Sequence, residues 1–84
     1  MRVTDSREGR IVGHVQVQVA SRVYNVPVQA APLEETGMKA GFFTEGTHKF
    51  RILVDSATSE AGQREVIERA VVEAAAFFSK KHLN

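Results

Sequence analysis

Residues that could act as bases, nucleophiles or metal ligands are scattered along this sequence. His14, His48 and His82 include no pair at the spacing of a metal site, although His14 and His48 would meet if their strands shared a face. The two aspartates, Asp5 and Asp55, fall in turn-forming stretches, where the carboxylate caps backbone N–H groups more often than it catalyses. Ser56, Thr58 and Ser59 would need a neighbouring base to become nucleophiles, and helix capping already accounts for them. There is no cysteine, no phosphate-cradling glycine loop, no HExxH and no GxSxG. The expectation is a protein without catalytic residues, metal or cofactor, with an active site assembled between subunits ranking last.

Two groupings carry binding chemistry instead. In GHVQVQVASRVYNVPVQAA, residues 13–31, apolar and polar side chains alternate, and the polar members are mostly amides. Gln and Asn hydrogen-bond in water and in an interface alike, without the desolvation cost of a charge. His14, Gln16, Gln18, Asn25 and Gln29, with Val12, Val23, Phe43 and Leu53 as apolar centres, therefore describe a partner surface. Self-association is its most economical use, and capture of another protein the next. The second grouping is Lys39, Phe43, Lys49 and Arg51, cations beside an aromatic ring, a small version of a platform for single-stranded nucleic acid. A double-stranded RNA-binding domain would start its last helix with a basic cluster, and that position here reads SEAGQREVIE.

The elements that must position these groups follow from a change in apolar period, from two residues to about 3.6, near Asp55. Residues 10–19 and 22–30 alternate as strands, and a turn on Ala20 and Ser21 sets Val17 against Tyr24, Val15 against Val26 and Ile11 against Ala30. Pro27 donates no hydrogen bond, which assigns its strand to an edge or Pro27 to a non-bonded or bulged position. After the connector APLEETG, residues 38–44 and 48–54 make a second hairpin around Glu45 and Gly46. One extra residue at Gly46 pairs Phe42 with Phe50, Ala40 with Ile52 and Met38 with Val54. Its outward rungs are Phe43 beside Lys49, Lys39 beside Leu53 and Arg51 opposite Gly41.

Residues 56–83 read as one helix, with Ile67, Ala70, Val71, Ala74, Phe77 and Phe78 on one face and Glu65, Arg69 and Glu73 on the other. Glu60 in the first turn and Lys80, Lys81 and His82 in the last suit the helix dipole. The fold class is α+β, a four-stranded antiparallel meander of two hairpins with one long C-terminal helix packed on one face. The other sheet face is expected to be uncovered, and residues 1–9 form an arm or a short strand at 2–4.

Bulk properties set the remaining expectations. An 84-residue chain with 43% apolar and 25% charged residues is one domain with average globular usage, burying about 60% of its unfolded surface. A formal net charge of +1 gives no global field toward nucleic acid or anionic lipid, so such binding needs a local patch. No apolar run approaches the roughly 20 residues of a membrane span, and the first residues lack the apolar segment of a secretory signal. With no cysteine, a cytoplasmic location is expected.

Overall fold

The computed structural model describes residues 10–45 and 49–83. The chain runs β1 (Arg10–Val19), β2 (Arg22–Ala31), a one-turn α1 (Leu33–Thr36), β3 (Gly41–Glu45), β4 (Lys49–Asp55) and a long α2 (Glu60–Leu83). The class is α+β, one four-stranded sheet with one long helix on it. The arm at 1–9 with Asp5, the turn residue Gly46, and His48 lie outside the described residues, as do the side chains of Lys81 and His82.

Alternation in the first two strands fixes their pairing, because a slip of one residue would turn the whole apolar set of β2 to the wrong face. Val17 pairs with Tyr24 and Val15 with Val26. A two-residue turn closes the hairpin at Val19 and Arg22, with Ala20 at φ 56°. Beyond Gly13 the register shifts at Val12, so Ile11 pairs with Gln29 and not with Ala30. This bulge corrects the expected core position of Ile11, since cross-strand partners share a face and Ile11 is now 55% exposed.

The antiparallel meander is also corrected. The strand order is β1-β2-β4-β3, and β4 lies parallel to β2, pairing Val28 with Ile52 through Ala31 with Asp55. The reason is legible in β4 itself. Ile52, Leu53 and Val54 are all buried, the continuous apolar run of a strand covered on both faces, so β4 takes an interior place and the short β3 takes the edge. The second hairpin pairs Phe42 with Ile52, Thr44 with Phe50, and Glu45 with Lys49, two residues away from the expected register. For the residues within β3 and β4 the facing survives that shift because the strand period is two, but the expected core positions of Met38 and Ala40 do not. Phe43 consequently lies opposite Arg51 and Gly41 opposite Leu53, whereas Met38, Lys39 and Ala40 precede β3 and are exposed.

Pro27 is accommodated without an edge position. Counting from the hydrogen-bonded closing pair Val19 and Arg22, the pair His14 and Pro27 is a non-bonded one, so β1 asks no N–H of Pro27. On its other side, the ladder to β4 starts only at Val28.

One sheet face carries the main core, Val17, Val26, Val28, Ile52 and Val54 against Ala70, Ala74 and Phe78 of α2. The small Ala70 and Ala74 let the helix lie close. Phe78 closes the far end among Tyr24, Phe42, Phe50 and Phe77. Glu65, Arg69 and Glu73 are exposed, as the helical period requires. The helix starts at Glu60, not at 56, because the preceding residues are spent on its entry turn. Asp55 Oδ1 accepts from the Ala57 N–H at 3.0 Å, and Ser59 Oγ, the N-cap among the three candidates, accepts from the Gly62 N–H at 3.2 Å.

The opposite, outer face is not bare. After β2 the connector folds back as α1, ended by Gly37 in the left-handed region at φ 74°, whose N–H donates to Leu33 O at 2.9 Å. Leu33 buries Leu53 in a second small core with Ala31, against which Phe43 packs. Leu53 is 2% exposed, which corrects its expected place among the uncovered apolar centres.

Candidate functional site

Of the expected partner surface, the structure keeps the amides outward but separates the apolar centres. His14, Gln16, Gln18 and Asn25 are exposed and Gln29 is half-buried. Val12 and Val23 are 58% and 55% exposed, yet they stand toward opposite ends of the first hairpin, with Val12 in the bulge and Val23 opposite Gln18 beside the turn. Leu53 lies under α1, and Phe43 is half-buried. These residues do not form one apolar patch.

The cation–aromatic grouping fares differently. Between Asn25 and Pro27 of β2 and Lys49 and Arg51 of β4 the two strands are not yet paired, and this gap opens a cleft of about 650 Å³. Its lining joins Asn25, Pro27 and Gln29 to Phe43 and Glu45 of β3 and to Lys49 and Arg51. Three of the four expected nucleic-acid residues thus meet in one depression. Lys39, in the loop before β3, does not line it.

Arg51 is the anchored group. Its Nη1 donates to Gln29 Oε1 at 2.8 Å, which orients the guanidinium across the cleft while leaving its remaining N–H donors for a ligand. Lys49 stands opposite Glu45 in the ladder, and both line the cleft. Phe43, opposite Arg51, supplies the apolar wall, and Asn25 an exposed amide. A cleft built this way can take an anionic group at Arg51 and hydrogen-bond uncharged polar groups around it.

The sequence reading missed the depression because it assumed neighbouring hairpins. The available signal was the pairing of Pro27, which interrupts β2 as a donor, with the ILV run that claims an interior place for β4. Among the described residues no group of three or more His, Cys, Asp or Glu side chains is placed to hold a metal ion. No helix among them is long and apolar enough to cross a membrane.

No known family model, curated protein or solved structure matches this chain.

Proposed function

We propose that the protein is a small, non-catalytic binding module of the cytoplasm whose ligand site is the outer-face cleft. The ligand it fits best is single-stranded nucleic acid. The observation that carries this reading is the convergence of Arg51, Lys49, Phe43, Asn25 and Gln29 on one cleft of about 650 Å³. Cations beside an aromatic wall follow the backbone and bases of a single strand with little sequence preference, and amides add hydrogen bonds to base edges. With two cations the electrostatic share is small. The affinity for a short oligonucleotide should fall with salt at a logarithmic slope of about −1.4, taking −0.7 per neutralised phosphate. Fluorescence anisotropy of a labelled oligonucleotide tests this, with Arg51→Ala expected to weaken binding more than Lys49→Ala. A chain that binds no oligonucleotide at low salt, or binds it equally well without Arg51, would sink the reading.

A second reading, contact with another protein or a second copy through the first hairpin, is favoured by one separate observation. Ile11, Val12 and Val23 are each more than half exposed on that hairpin. It predicts weak salt dependence and no sensitivity to Arg51.

A further inference from the structure

The strand order leaves β1 at one edge of the sheet, and among the described residues no strand lies beyond it. Edge strands present a row of unpaired N–H and C=O groups, and proteins blunt them with lysine, proline, inward charges, bulges or short length. The other edge strand, β3, is five residues long and ends in Glu45. β1 is ten residues long, and its bulge lies at Val12, before the stretch from Gly13 to Val19. That stretch, GHVQVQV, holds no lysine, proline or formal charge. Among the described residues it is the unprotected edge.

We propose that this edge pairs antiparallel with β1 of a second copy, about a two-fold axis at Gln16, to make one continuous eight-stranded sheet. The inference sharpens the second reading above and does not depend on the cleft. Three features support it. Alternation from the closing pair Val19 and Arg22 directs the backbone N–H and C=O groups of odd-numbered residues to β2. Those of His14, Gln16 and Gln18 therefore point outward along the free edge. An axis at Gln16 then sets Gln16 opposite its own copy, His14 opposite Gln18, and Val15 opposite Val17. Apolar residues meet on the helix side, where Val15 is only half-buried, and uncharged polar side chains meet on the outer side.

The third feature is chemical. In a strand that pairs with itself, a lysine at the axis would face a lysine and a glutamate a glutamate, and like charges directly opposite are destabilising. A glutamine amide both donates and accepts, so it is its own complement. Gln16 at the axis meets this condition, and the uncharged His14 and Gln18 beside it add no like-charge contact.

Charge exchange at the axis tests the proposal by sedimentation velocity, at the highest soluble concentration, with circular dichroism to confirm folding. The wild-type chain should sediment at twice the chain mass. Gln16→Lys and Gln16→Glu should each sediment as folded monomers, and their equimolar mixture should return to twice the mass. Val23→Lys, which adds a charge to the outer face of β2 away from the seam, should remain dimeric. A monomeric wild type overturns the proposal, and so do Gln16 variants that stay dimeric or a mixture that stays monomeric. Loss of the dimer in Val23→Lys, with both Gln16 variants still paired, would place the contact on the face of the hairpin and leave the second reading standing without the edge.

Discussion

The ring of Phe78 lies flat against that of Tyr24, with centroids 3.9 Å apart and planes 3° apart. Phe50 meets Phe78 edge-on at 4.9 Å and Phe42 at 5.9 Å, so one side chain of α2 ties β2, β4 and β3 together. These three strands also line the cleft, and Phe50 itself is one of its lining residues. The helix end therefore holds the floor of the candidate site as well as the core.

Phe78→Ala should lose about 3 to 5 kcal/mol of unfolding free energy, since it empties a fully buried aromatic site. Glu73→Ala, on the exposed face of the same helix, should change stability by less than about 0.5 kcal/mol. Urea denaturation of the two variants reads the contrast, and equal midpoints would contradict the packing described here.

Leu53 separates a covered outer face from a bare one. If α1 buries it, Leu53→Ala should cost about 2 to 5 kcal/mol, as a core leucine does, whereas Val12→Ala should be nearly neutral. A folded Leu53→Ala protein with an unchanged urea midpoint would show that α1 does not cover it.

Ala20 occupies the turn of the first hairpin at φ 56°, a region where a Cβ costs energy and glycine fits freely. Ala20→Gly should raise stability by about 1 kcal/mol, seen as a higher urea midpoint at unchanged slope. A loss of stability would mean that the turn does not hold this conformation.

Asp55 organises two connections at once. Its Oδ1 accepts from the Ala57 N–H at 3.0 Å and from the Leu33 N–H at 3.4 Å, joining the entry to α2 with the start of α1. Asp55→Ala should cost about 1 to 2 kcal/mol, and Asp55→Asn, which keeps an acceptor oxygen, should recover most of it. Thermal melts of the pair check this. Equal losses would mean that the oxygen's acceptor role is not what matters.

By itself the sequence determined what depends on near neighbours. Alternation through Val15, Val17, Tyr24 and Val26 set the first hairpin and its register from the turn as far as Gly13, because a turn of two residues brings adjacent strands together with little freedom, but it did not reveal the bulge at Val12. The 3.6-residue period set which side of α2 is buried, from Ala70 to Phe78. Side-chain facing in β3 and β4 was also legible, even though their register was not, since a shift of two residues leaves the facing unchanged.

Tertiary structure decided what depends on distant partners. Whether β4 lies beyond β3 or slips between β3 and β2 is a competition among whole strands for burial, and the Ile52, Leu53 and Val54 run wins the interior place. That placement opens the gap between Pro27 and Arg51, brings Gln29 within 2.8 Å of the Arg51 guanidinium, and lets Leu33 close over Leu53. Residues separated by 22 positions, as Gln29 and Arg51 are, leave no periodic trace of their meeting, because periodicity records the face a residue takes and not the strand it will lie beside.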